Sequence, residues 1–285
     1  MKTVGKILLG VIAYGISMVV SGALMTALHL PMLRPIPGET RSPETQFLLM
    51  MLCTPVLIVG LIPLVQGLRG TWVQRCLAIA ALMFVTLGLN TIIELTIFSD
   101  LLPDGNLLVS AFFILPALIT AAVISYGKGR TEEPTFAHFG IGGWSWRLVL
   151  AWMSFPVIYF LFGMCVGPFV APHYMAGVAG LKIPPVDVII KTQLVRSLFF
   201  LAASFPAVLL WTKSRGKFIM AMGLAHAVMV GIFPLMQAGF LPMLLRVLHS
   251  IEITADSFAY AAVLGLLFFR AKKAEVLEVA KSTAA

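Results

Sequence analysis

Apolar residues in this chain run in long blocks broken by short polar interruptions. Eight stretches are long and apolar enough for a helix to cross the hydrocarbon core of a bilayer, which takes about 20 residues. They are residues 7–30, 47–65, 76–98, 107–126, 147–168, 188–211, 218–240 and 244–269. The segments between them are rich in turn formers, as in RPIPGETRSPET, LLPDGN, GKGRTEEPTFAHFG and TKSRGK. The pattern predicts an all-α, polytopic transmembrane helix bundle of eight spans. It forms one transmembrane domain over residues 1–285, with 270–285 as a short cytoplasmic tail.

Composition agrees. The chain is 60% hydrophobic and 11% charged, with a mean hydropathy of +0.99. An ordinary soluble domain carries about 25% charged residues, so a soluble fold of this composition would have to expose large apolar patches. The net charge of +8 does not point to nucleic acid, because the basic residues sit in short clusters beside apolar runs, where they orient a membrane protein. With the N-terminus inside, the inner flanks hold Lys2, Lys6, Arg69, Arg75, Lys128, Arg130, Arg147, Lys213, Arg215, Lys217, Arg270, Lys272, Lys273 and Lys281. The outer half keeps Arg34, Arg41, Lys182, Lys191, Arg196 and Arg246. Both termini are therefore expected in the cytoplasm, with the cell (inner or plasma) membrane as the location. The first apolar run exceeds a signal-peptide core and reads as an uncleaved span.

Residues 1–126 and 147–269 would each supply four spans in the same orientation. Pro55 and Pro63 followed by Arg69-Gly70, against Pro206 followed by Arg215-Gly216, suggest a faint 4+4 parallel repeat of the kind found in transporters. Gly223, Ala227 and Gly231 form a small-residue stripe for close helix packing. Trp144, Trp146, Trp152 and Trp211 read as lipid anchors at the inner interface. Cys53, Cys76 and Cys165 lie in or beside apolar segments with no CxxC pair, so neither disulfides nor a zinc ribbon is indicated.

Chemistry gathers in the last span. RVLHSIEITADSFAY, residues 246–260, carries Arg246, His249, Glu252, Asp256 and Tyr260 on an arc of about 120° when wound at 100° per residue, with Val247, Ile251, Phe258 and Ala262 opposite. Each charge near the bilayer centre costs about 2.5–3.5 kcal/mol on insertion scales, so partners are needed from other spans. Counting depth along each helix brings Asn90 and Glu94 (with Thr86 on the same face), Arg196, and His226 to comparable levels. The expected site is an outward-opening polar pocket of Asn90, Glu94, Arg196, Arg246, His249, Glu252 and Asp256, with His226 beneath it. The expected pairs are Arg196 with Glu252, Glu94 with His249 or Arg246, and His226 with Asp256.

Three function classes compete for such a pocket. A transporter of a small molecule or ion, proton-linked through the carboxylates and histidines, is the first choice. The alternative is a membrane-embedded hydrolase or transferase acting on a lipid or lipid-linked substrate. It would use Glu252, Glu94 and His249 in catalysis, with a divalent metal on His249, Glu252, Asp256 and His226 as its cofactor. A non-catalytic assembly subunit, with buried pairs that fix helix register, is the third. No HExxH or phosphate-binding loop motif occurs in the chain.

Overall fold

A computed structural model describes residues 3–32, 34–102 and 107–269. Lys2, Arg270, Lys272, Lys273, Lys281 and the rest of the predicted tail lie outside the described residues. Eight helices long and apolar enough to cross a membrane succeed one another: α1 (Thr3–Ala27), α2 (Pro43–Val65), α3 (Trp72–Phe98), α4 (Leu107–Ser125), α5 (Ile141–Met175), α6 (Val186–Leu210), α7 (Arg215–Gln237) and α8 (Met243–Phe268). Among the described residues there is no strand, only isolated bridges between loops.

Local sequence sets the ends. Ser42 caps α2 by accepting from the Thr45 N–H, with Pro43 in the first turn, where its missing N–H costs nothing. Thr71 and Gln74 form a reciprocal capping box on α3. The largest departure from expectation is α5. It runs for 35 residues, about 52 Å, from Ile141 to Met175 rather than over 147–168. Pro168 and Pro172 sit inside its outer turns, where a membrane helix can tolerate proline.

Two helices are interrupted at their centres. Phe84–Leu89 in α3 and Ala227–Ile232 in α7 are π-helical turns. Each π turn takes in an extra residue and rotates the remainder of its helix by about 100° relative to an unbroken α-helix. The two turns meet: Thr86 Oγ1 lies 3.3 Å from Met229 Sδ, residues 143 apart in sequence.

That shift of 143 runs through the whole molecule. It superposes the two π turns, Pro63 on Pro206 and Gly88 on Gly231. It also relates Leu68 to Trp211, which bridge each other, and the flanking hydrogen bonds obey it. Arg69 N donates to Leu210 O at 2.8 Å, and Thr212 N donates to Gly67 O at 3.0 Å. The principal helix contacts repeat as well: α1 on α2 and α4, and α3 on α4, are matched by α5 on α6 and α8, and α7 on α8, while α2 on α7 is matched by α3 on α6. The 4+4 parallel repeat is therefore present in the fold as a pseudo-two-fold. Its expected signature was partly wrong, since Arg69-Gly70 corresponds to Thr212-Lys213 and not to Arg215-Gly216.

The contacts close into two five-helix rings that share α3 and α7. One is α3–α4–α1–α2–α7 and the other α3–α6–α5–α8–α7. The first ring is filled: Tyr14, Leu57, Leu61 and Met83 are buried, Tyr14 meets Phe233 edge-on at 5.7 Å, and Phe113 presses on Gly88. The second ring encloses a chamber.

Candidate functional site

The chamber begins with the π turn in α3. Without it, Thr86, Asn90 and Glu94 would share one face. With it, Thr86 stays at the inter-repeat contact while Asn90 and Glu94 turn toward α6. There the Arg196 guanidinium, only 3% exposed, is held on three sides. Its Nε donates to Asn90 Oδ1 at 2.8 Å, Nη1 to Gln193 Oε1 at 3.1 Å and Nη2 to Glu94 Oε1 at 2.6 Å. The rings of Phe155 and Tyr159 lie 5.9 and 5.7 Å from its central carbon. A planar fork suits such multidentate holding.

Across the chamber, α8 presents its acids. Glu252 Oε2 is 2.7 Å from His249 Nδ1, one turn apart on the same helix, and His249 Nε2 is 3.2 Å from the Tyr174 hydroxyl on α5. The three form one hydrogen-bonded chain from the outer loop side into the cavity. Gly163 on α5 leaves room for the carboxylate, which a Cβ there would approach to 3.4 Å. One turn deeper lies Asp256, whose Oδ1 is buried without a hydrogen-bond partner. Tyr260 comes next, its ring stacked on His226 and its hydroxyl also unpartnered. His226 Nε2 is 3.1 Å from Ser204 Oγ.

These groups enclose a cavity of about 260 Å³ that runs from the α3–α4, α5–α6 and α7–α8 connections down to His226. Glu94, Arg196, His226, His249, Glu252 and Asp256 all line it, and most of the remaining wall is apolar or aromatic. Asn90 stands behind Arg196 rather than on the wall.

The expected pairings are corrected throughout. Arg196 does not pair with Glu252, because the rotated α3 brings Glu94 to it first. Glu94 accordingly pairs with neither His249 nor Arg246. His226 bonds Ser204 rather than Asp256, since it stacks on Tyr260 one turn further along α8. Arg246 does not line the chamber: it lies at the half-exposed outer end of α8 beside Met243 Sδ. Among the described residues no group of three or more His, Cys, Asp or Glu side chains is placed to hold a metal ion, so His249, Glu252, Asp256 and His226 do not form a ligand set.

Outside the chamber, Trp211 is no lipid anchor. It is 1% exposed and fills the space over Gly67 at the contact between the repeats. Trp144 stacks on Phe268, and Trp152 Nε1 donates to Leu194 O. Only Trp146 of the four is largely exposed.

Sequence reasoning missed Tyr174, Gln193 and the π turns. Tyr174 lies beyond the expected end of α5. The spacing of Gln193 and Arg196, three apart on one helix face, was a signal that could have joined them.

The shift of 143 also sets the chamber's polar residues against their counterparts in the first half. Gln193, Arg196, Ser204, His226, Glu252, Asp256 and Tyr260 stand where the first half has Met50, Cys53, Leu61, Met83, Val109, Phe113 and Ala117. The same fold with apolar residues at these positions packs solid. The fold therefore does not require the polar set.

The chain matches no protein-family model, no curated protein and no solved structure.

Proposed function

We propose that this integral membrane protein is a proton-linked carrier of a small, mostly apolar solute bearing positive charge, admitted to the chamber from the extracytoplasmic side. The charge balance inside the chamber carries this reading. Arg196 is matched by Glu94, and Glu252 by His249 when the imidazole is protonated, whereas Asp256 lines the chamber with no ion pair among the described residues, its Oδ1 buried without a hydrogen-bond partner. A lone carboxylate in apolar surroundings must either take up a proton or acquire a cation. A site with those two options exchanges one for the other. The groups facing it are Glu252 and His249 on its own helix, Glu94 on α3, Tyr159 and Tyr174 on α5, Arg196 on α6 and His226 on α7. The aromatic wall suits an organic cation through ring-face attraction. Parallel repeats about an axis along the membrane normal recur in carriers.

The test is uptake of benzyltrimethylammonium by liposomes that enclose a pH-sensitive dye and carry an acidic lumen. The wild type should accumulate the cation while the lumen loses protons, and Asp256→Asn should lose both activities while remaining folded. Equal uptake by wild type and Asp256→Asn ends the proposal.

A second reading is kept by one observation, the Tyr174–His249–Glu252 chain, in which a histidine is oriented by a carboxylate and faces a hydroxyl. That arrangement would also serve an intramembrane hydrolase or transferase. Purified protein that cleaves vesicle phospholipid, with the activity lost in His249→Ala, would replace the carrier by the enzyme.

A further inference from the structure

The chamber leaves a second cavity unexplained. It lies at the opposite end of the bundle, measures about 280 Å³, and is lined by Lys6 on α1, Arg75 on α3, Lys128 and Arg130 on the α4–α5 connection, and Lys213 after α6. Among the described residues only Arg130 of these five makes an ion pair, with Glu132. Lys6 Nζ donates to Ile124 O, and Arg75 donates to the carbonyls of Gly70, Ser125 and Gly127. Those carbonyls position the cations without cancelling their charge.

Placement at the inner face accounts for basic residues near the membrane surface. It does not account for their convergence on one cavity, nor for a guanidinium that is 2% exposed at its edge. The backbone is shaped to this arginine, since a Cβ on Gly129 would fall 1.9 Å from Arg75 Nη1. Nor does the fold demand it. At the equivalent place in the second half stands Phe218, sealed by Trp211 at 5.6 Å and Phe269 at 4.7 Å. Burial, and then the nearness of Arg130 and Lys217, push the Lys213 ammonium below its ordinary pKa, and Glu132 offsets only part of this.

We infer that this inner cavity, formed by Lys6, Arg75, Lys128, Arg130 and Lys213, is a binding site for a phosphate-bearing anion. Lipid headgroups of the inner leaflet and soluble phosphates share that chemistry, and basic pockets between membrane helices on this side are suited to it. The site is independent of the carrier reading, because none of its residues touches the chamber.

The experiment measures thermal unfolding of the full-length protein in detergent, with added phosphatidylglycerol, phosphatidylcholine or inorganic pyrophosphate. Binding to the folded state should raise the midpoint by several degrees. The shift should disappear in the double variant Lys128→Gln, Lys213→Gln and persist in Lys217→Gln, which removes a neighbouring cation outside the cavity. A response to phosphatidylglycerol alone identifies a headgroup, and a response to pyrophosphate identifies a soluble anion. No response to either, or the same response in the double variant, overturns the site. Both altered lysines are at least partly exposed, so the variant should fold, and its unliganded midpoint checks that it does.

Discussion

Arg196 holds the chamber's electrostatics together, since it joins α6 to α3 through Asn90 and Glu94 and to its own helix through Gln193. Removing one partner of a buried pair costs about 3–5 kcal/mol because the other charge is left behind. Glu94 is 36% exposed on its side chain, so it can rehydrate when deserted. Glu94→Gln, which strands the buried guanidinium, should therefore lose about 3 kcal/mol in a denaturation experiment, and Arg196→Ala, which deserts only the hydratable glutamate, clearly less. Arg196→Lys should recover only part of the loss, because an ammonium cannot reproduce the fork. Equal effects of Arg196→Ala and Glu94→Gln would show that the pair is not anchored in this way. At this scale the sequence disclosed that Glu94, Arg196, His226, His249, Glu252 and Asp256 converge, but not that Arg246 stays outside or who bonds to whom. Charge in an apolar span announces itself by its cost. Pairing depends on rotation about each helix axis, which a depth count of about 1.5 Å per residue does not carry.

Among the helices, the glycines mark where packing is tight. A Cβ at Gly223 would fall 2.6 Å from Phe258, and at Gly231 2.9 Å from Ile253, so the small-residue stripe of α7 is the seat of α8. Overpacking of this kind costs about 1–3 kcal/mol. Gly223→Val and Gly231→Val should both lower the unfolding midpoint, whereas Gly167→Ala on α5, with nothing within 4 Å, should leave it unchanged. If all three behave alike, the α7–α8 contact is looser than these distances imply. Phe258 lies against this seat rather than toward lipid, which corrects one member of the outer face expected for α8. Val247 and Ile251 do remain exposed there. The polar arc of α8 could be read from periodicity because α8 is unbroken helix. The face of α3 could not, since nothing in FVTLGL distinguishes a π turn from an α-helical one. The outer turns of α5 were hidden by Pro168 and Pro172, and Tyr174 with them.

For the molecule as a whole, charge is distributed unequally between the two ends. At the outer end Arg41 pairs with Glu39, Lys182 with Asp100 and Lys191 with Asp187. Arg34 and Arg246 make none there, whereas at the inner end Arg69 pairs with Glu133 and Arg130 with Glu132, and Lys6, Arg75, Lys128, Arg147, Lys213, Arg215 and Lys217 make no ion pair among the described residues. The excess of basic residues at one end is the signal from which both chain termini are expected on the cytoplasmic side. In a variant with Cys53, Cys76 and Cys165 replaced by serine, a cysteine at position 182 should react with a membrane-impermeant maleimide in intact cells, and one at position 213 only after lysis. The reverse pattern would invert the topology and turn the chamber inward. The eight spans were legible because hydropathy acts over whole segments. The two-fold relation was barely legible, because the two halves differ at most of the positions that give each its character.

The ion pair between Arg196 and Glu94 crosses from one repeat to the other, and this makes the halves unequal debtors. Residues 141–285 produced alone would hold a buried guanidinium with no acid to meet it, while residues 1–140 would merely bare a glutamate to water. The C-terminal fragment should therefore be degraded unless its companion is synthesised alongside, and the N-terminal fragment should survive longer by itself.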